Sequence, residues 1–332
     1  MARPNNTYSG FLFLLFNIII PLTFNITILG TNAALPDKDT ITSAQVVNVH
    51  DHLYVVDCGE GMQSKLQKYR IKRNRIQAIF ISHLHGDHVF GLPGLLTSYV
   101  HFQRERPICI IGPKGIREFV ETCLRLSQAY IDFEVHFREM DHEGCALIYE
   151  DAKVSVSAFP LLHRISTYGF RFDEVIDKYN IRPDKIKELG LTTDQIKAVK
   201  GGSDILKADG MMIPNEEMIF RKTKVRSYVY CSDTAYDESI VDFIRKADVL
   251  YHEATYLSDM VVKAKERMHS TVHDAAKIAT MAGVGKLVIG HFSIRYINKE
   301  DFLNQGKLEF SEVILAEEGK IIEIHLEKSL KF

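Results

Sequence analysis

The chain of 332 residues has no excess of either charge: 41 Lys and Arg stand against 43 Asp and Glu, a formal charge of −2. That excludes a globally basic nucleic-acid coat, though not a local basic patch. Cysteine is scarce, with five residues and no Cys-x-x-Cys pair. Most sit in apolar, strand-like stretches such as Pro107-Ile108-Cys109-Ile110-Ile111. They read as reduced core residues of a cytosolic protein, not as a disulfide framework. No repeat of 20–50 residues and no low-complexity tract occurs, which excludes solenoids and arrays. The most apolar run, residues 11–20, contains Asn17 and is followed by Pro21, and it is too short for a membrane span. Only Arg3 supplies charge before it, and no small-x-small cleavage site follows, so an export signal is not supported either. Residues 1–21 are therefore expected to be an extension outside the fold. The protein is expected to be cytoplasmic, without stable membrane association.

A composition of 46% apolar and 25% charged residues is ordinary globular stock, and at this length the chain can bury a large core. It fits two ordinary domains or one large layered domain with an insertion. Residues 23–30 alternate polar and apolar and end at Gly30, which reads as a half-buried strand. Residues 46–49 and 53–57 suggest a hairpin around His50-Asp51-His52, and 62–70 a basic helix. The continuous apolar run 78–81 suggests a strand buried on both faces. Residues 108–111 read as a strand and 115–126 as a helix. The alternation over 153–159 is expected to stop at Pro160. Periodicity weakens from 172 to about 218, and 173–212 is expected to be an inserted, protruding arm. Strand character resumes at 227–231 and again at 287–289.

The strongest chemical signal is Ser82-His83-Leu84-His85-Gly86-Asp87-His88, directly after the strand 78–81. His83 and His85 are two apart, so in extended chain they point to one side. Gly86 is expected to let the backbone turn and bring Asp87 and His88 round. Imidazole and carboxylate donors together suit zinc, with iron or manganese less favoured. One loop cannot close two metal sites. Three more ligand-type residues stand just past apolar runs: His163, Asp233 and His291. With the first cluster they make up two sites.

These runs resemble the metallo-β-lactamase superfamily, and within it the ribonuclease Z family, the tRNA 3′-processing endonucleases. The likeness spans about 23–325. It rests on Leu29-Gly30-Thr31, Asp57-Cys58-Gly59-Glu60-Gly61, the 82–88 cluster with Phe90-Gly91-Leu92-Pro93-Gly94-Leu95, and residues 230–234. It rests equally on His252-Glu253-Ala254-Thr255, His269-Ser270-Thr271 and residues 290–296. The resemblance implies an α/β fold, a four-layer αββα sandwich, as one catalytic domain over 22–332. The arm 173–212 would enter between the ligand regions of His163 and Asp233 and serve as a tRNA-binding exosite. Two zinc ions per chain are implied, one on His83, His85 and His163, the other on Asp87, His88 and His291, with Asp233 bridging. A hydroxide held between the ions would attack the phosphodiester. Asp87 would also accept a proton. His269 would contact the scissile phosphate and assist the leaving oxygen, with Glu253 fixing its tautomer. His252 is read as packing only.

The implied activity is removal of the 3′ trailer of precursor tRNA, leaving a tRNA 3′-hydroxyl, by a protein that is commonly a homodimer in this family. The alternative is a general dinuclear-zinc phosphodiesterase, or another metallo-hydrolase acting on small substrates. Two features depart from the family pattern. The loop after the first strand, Pro36-Asp37-Lys38-Asp39-Thr40-Ile41, lacks the usual Arg-Asn pair. The arm lacks the Gly-Pro-rich element and carries seven Lys and Arg against eight Asp and Glu. Basic charge gathers instead at Lys65, Lys68, Arg70, Lys72, Arg73 and Arg75, and at Arg221, Lys222, Lys224 and Arg226. Either cluster could contact phosphate or merely be solvated.

Overall fold

The structure is a computed structural model, and it describes residues 22–175, 180–207, 209–220 and 225–326. The extension 1–21 and the basic residues Arg221, Lys222 and Lys224 lie outside the described residues.

Strand parity builds two facing sheets. The first runs in the order Ile321–Glu323, Phe24–Asn32, Ala44–Val49, His52–Cys58, Ile76–Phe80, Ile108–Pro113 and Val135–Met140, with Ile41–Thr42 beside Phe24–Asn32. Alternate residues Phe24, Ile26, Ile28, Val47, Val49, Tyr54, Val56, Ala78 and Phe80 point into the space between the sheets. Their neighbours Leu29, Val46, Val55, Ile79 and Ile81 point outward, beneath the helices Met62–Lys68, Gly91–His101 and Ile116–Leu126. The two-residue period thus gives the central strands two apolar faces, which only a covered sheet can bury, while the edge strands Val135–Met140 and Ile321–Glu323 are half exposed.

The second sheet follows the same logic. Its order is Val313–Leu315, Leu287–Gly290, Val249–Glu253, Ser227–Cys231, Thr167–Glu174, Val154–Leu161 and Ala146–Glu150. Phe170, Phe172, Tyr228, Tyr230 and Tyr251 fill the inner layer. Val229, Cys231, Leu250, Leu287 and Ile289 pack outward on the helices Val272–Ala282 and Glu300–Gly306. The result is the four-layer αββα sandwich.

Local sequence explains several joints. Val49 pairs with His52, and His50 and Asp51 both have positive φ (50° and 68°), the two-residue turn that matches strand twist. Pro160 does not end its strand. Val154–Leu161 runs through it, opposite Tyr168. The neighbouring strand Ala146–Glu150 reaches only to Ala158, so Pro160 sits on an edge where its missing N–H is tolerated. The basic helix stops at Lys68, and Arg70 turns to φ 53°.

Asp173 and Glu174, read from the sequence as the root of the arm, complete the strand Thr167–Glu174. Beyond them Asn180–Ile181 pairs with Ile219–Phe220, so the local pairing of this segment reaches past 212. Between these lie the helices Pro183–Leu189 and Thr193–Lys200. Gly190, at φ 59°, ends the first, and Thr192 caps the second in a reciprocal pair with Gln195. Ile181, Leu191, Val199, Ile205, Ile213 and Met218 form a small core of their own.

Candidate metal centre

In both sheets the central strands are parallel, and their carboxyl ends open at a common edge, the usual position for ligands in such sheets. The Ile76–Phe80 strand delivers the 82–88 loop there, Ser227–Cys231 delivers Asp233, Val249–Glu253 delivers Glu253, and Leu287–Gly290 delivers His291. His163 arrives from the antiparallel strand Val154–Leu161. Gly86 begins the short helix Gly86–Val89 without a positive φ. Its role is space: a Cβ there would lie 2.3 Å from the Phe90 ring.

All seven ligand-type residues picked from the sequence converge, in two clusters. In the first, His83 Nε2 lies 3.0 Å from His85 Nδ1, and His163 Nε2 lies 3.3 Å from the same atom. Asp233 Oδ2 stands 3.5 Å from His83 Nε2 and 3.8 Å from His163 Nε2. In the second, Asp233 Oδ1 stands 3.3 Å from His88 Nε2 and 3.2 Å from His291 Nε2. Asp87 Oδ2 is 3.5 Å from both of those nitrogens. Asp233 is thus shared, with one oxygen for each cluster.

Four of the five rings are held from behind. His83 Nδ1 meets Ser82 Oγ at 3.0 Å, His88 Nδ1 meets Asp57 Oδ2 at 2.7 Å, His163 Nδ1 meets the Met268 carbonyl at 2.8 Å, and His291 Nδ1 meets Thr255 Oγ1 at 2.9 Å. Contacts of this kind fix the tautomer and aim the other nitrogen. Asp57 also accepts from Ser82 N, Ser82 Oγ and Tyr230 Oη. The Ala34 N–H donates to Asp87 Oδ2 at 2.8 Å. Sequence reasoning assigned no role to Asp57 or Thr255. Asp57 carried the signal that singled out Asp233, an acid closing an apolar strand, and Thr255 closes the His-Glu-Ala-Thr run. The Met268 carbonyl leaves no mark in sequence.

The residues fit a metal. His88 Nε2, Asp233 Oδ1 and His291 Nε2 are buried without hydrogen-bond partners, an arrangement that costs free energy unless a cation satisfies them. Burial pushes the pKa values of His83, His85 and His163 down, that of His85 to about 4, which favours the neutral, ligating form. Burial alone would do the same to His88. Instead Asp233, Asp87 and Asp57 outweigh it and raise the pKa, marking a surplus of carboxylate that a divalent cation would neutralise. The nitrogen and oxygen donor set matches zinc chemistry.

Beside the clusters, Glu253 Oε1 accepts from His269 Nδ1 at 2.8 Å and from the Thr234 and Ser270 N–H groups, while Thr255 holds Oε2. Burial would lower the His269 pKa, but Glu253 and Asp233 raise it to about 9. His252 points away, buried, with Nδ1 on the Glu253 carbonyl. Asp87, Asp233, His269 and His291 line a cleft of about 540 Å³ whose mouth includes Leu35 and Phe90. The basic stretch is largely engaged elsewhere: Lys65 and Lys68 pair with Glu318, Arg75 with Asp51, and Arg73 lies over the Phe102 ring. Among the described residues no helix is long and apolar enough to cross a membrane. All five cysteines are free; Cys58 and Cys231 are buried in the core, Cys109 and Cys123 are half-buried, and Cys145 is exposed.

Comparison with known proteins bears on this geometry. Residues 24–199 match the family described as Anti-Pycsar protein Apyc1. The chain is 39% identical over 302 residues to the Ribonuclease Z of Bacteroides thetaiotaomicron, across 91% of this chain and 96% of that protein. The crystal structure of the short form of human tRNase Z superposes with a TM-score of 0.65 at 30% identity, over 90% of this chain and 98% of that one. The metallo-β-lactamase fold protein YhfI of Bacillus subtilis superposes at 0.64 with 19% identity, over 91% of this chain and 99% of that one, a likeness of fold.

Proposed function

The chain belongs to the ribonuclease Z family and, over the part matched above, to the Apyc1 family, and we propose that it is a zinc-dependent endoribonuclease that removes the 3′ trailer of precursor tRNA. The observation that carries this reading is Asp233, whose two oxygens face two separate sets of imidazole nitrogens, with the His269–Glu253 pair alongside.

His83, His85 and His163 would hold one zinc ion, and Asp87, His88 and His291 the other, with Asp233 shared. Zinc supplies Lewis acidity there, lowering the pKa of a water and neutralising charge on the phosphodiester. Asp87 accepts the proton that the attacking water gives up. His269, kept protonated by Glu253, donates its proton to the departing tRNA 3′ oxygen, which leaves as the 3′-hydroxyl. The trailer keeps the phosphate at its 5′ end. Glu253 holds the His269 ring in the donating orientation, since its other lone pairs are taken by Thr234, Thr255 and Ser270. Such a substrate goes with a cytoplasmic protein, and a homodimer completes the proposal. The segment 180–220, with its own small core, is assigned contacts to the tRNA body.

The test is to incubate the zinc-loaded protein with a precursor tRNA bearing a 3′ trailer and to map the ends. One cut is expected, giving a 3′-hydroxyl on the tRNA and a 5′-phosphate on the trailer. An intact precursor alongside hydrolysis of a small phosphodiester would move the protein to the alternative class.

A further inference from the structure

Phe90 is an exposed aromatic ring in a place where exposure has a use. It lines the cleft together with Asp87 and is 60% exposed. It is nonetheless held. The ring rests over Gly86, where even a Cβ would come within 2.3 Å of it. It also lies nearly parallel to the ring of Phe119, with centroids 6.2 Å apart and planes 14° apart. Two more exposed residues of the lining, Leu35 and Ile294, are aliphatic, at 56% and 53%. The cleft therefore has a floor of metal-type ligands and a rim on which the exposed Phe90 face stands beside Asp87, among Leu35, Ile294 and the exposed Glu60 and Arg164, while the other aromatic ring of the lining, Tyr256, is buried.

A phosphodiester entering such a cleft brings its charge to the floor and leaves its flanking bases at the rim. Aromatic faces stack nucleobases with little regard to sequence, because every base has a π face. We propose that Phe90 is a substrate-positioning residue that stacks on a nucleobase adjoining the scissile phosphate and so seats the backbone over the metal centre. This inference rests on the RNA-cleaving reading above.

The test uses the zinc-loaded full chain and steady-state kinetics on three precursors: the intact one, and one with an abasic nucleotide on either side of the cut. Phe90→Leu keeps an apolar side chain over Gly86 but removes the π face, and Phe90→Trp keeps the face. Stacking at one base is worth about ten-fold in affinity. Phe90→Leu is expected to raise KM for the intact precursor about ten-fold, and Phe90→Trp to leave it near wild type. One of the two abasic precursors should cost the wild type a similar factor, and on that substrate Phe90→Leu should cost nothing more. Metal content by elemental analysis should be the same in all three proteins. Equal losses from Phe90→Leu on intact and both abasic precursors would overturn the stacking role, because the ring would then be shaping the site. Full activity of Phe90→Leu on the intact precursor would overturn it too. A wild type that leaves the intact precursor uncut overturns the RNA reading itself, and the inference with it.

Discussion

Asp57 Oδ2 accepts the Nδ1 proton of His88 at 2.7 Å, and solvent reaches neither side chain. The acid therefore sets which nitrogen of His88 faces Asp87 and Asp233. Asp57→Asn keeps the shape but removes charge and presents a donor. Loss of such a partner typically weakens metal binding about 10–100-fold. Zinc titration against a competing chelator should show one weakened ion of two, with the His83–His85–His163 cluster little changed. Unaltered binding of both ions would mean that the ring is oriented by packing alone.

The shared position of Asp233 separates it from its neighbours. Asp233→Ala should lower the affinity of both ions, whereas His291→Ala should release one and spare the other. Elemental analysis after dialysis against a mild chelator distinguishes these outcomes. A single tightly held metal in wild type and both variants would refute two sites.

His269 stands outside the two sets that share Asp233, bonded to Glu253, and forms a third ligand-type group with Glu253 and His291. His269→Ala should lower turnover by about 10²–10⁴-fold, the usual loss when general acid–base help is removed. Metal content should stay that of the wild type. Zinc lost with the ring would make His269 a ligand instead.

Far from the cleft, Glu174 is bonded to Arg226 and to His50, and Arg226 also donates to the Ile324 carbonyl. Burial would raise the Glu174 pKa, but Arg226 and His50 outweigh it and hold it at about 2, below the ordinary 4.5. A depressed folded-state pKa contributes stability above about pH 4.5 that is lost as pH falls towards 2. Glu174→Gln should therefore melt well below wild type at pH 7, and the gap should close between pH 4.5 and 2. A gap independent of pH in thermal melts would mean that the carboxylate charge plays no part.

The inserted segment buries its own apolar residues, so its removal should spare the sandwich. Replacing residues 180–220 by a short Gly/Ser link should raise KM for precursor tRNA while leaving hydrolysis of a small chromogenic phosphodiester largely unchanged. Equal loss on both substrates would show that the segment supports the site.

The parts of the site legible in the sequence were those written locally. Ser82 to His88 announces itself, and His163, Asp233 and His291 are each the first ligand-type residue past an apolar strand. What stayed hidden depends on distant packing. Tyr230 closes on Asp57 across the sheet interface, and Met268 offers only a carbonyl, so neither contact has a sequence signature. Asp173 and Glu174, read as the start of an arm, are polar residues in a strand, Glu174 being buried by its ion pairs, which their sequence does not disclose. Pro160 looked like a terminator because its tolerance depends on where the neighbouring strand stops. Lys65 and Lys68 could be read only as phosphate-contacting or solvated, because Glu318, which engages both, is some 250 positions away.

The first sheet has one more property. Among the described residues all its strands but one come from the first 140 positions, and the exception, Ile321–Glu323, pairs with Phe24–Asn32 along the edge. During synthesis Ile41–Thr42 can cover the Gly30–Asn32 end of this edge early, but Asn25–Thr27 waits until the late strand Ile321–Glu323 follows. An uncovered apolar edge is a template for pairing with another chain. Such long-range closure is slow and leaves the nascent chain open to aggregation. Folding of this protein is therefore a race at the ribosome, in which the final short strand seals the sheet opened by the first.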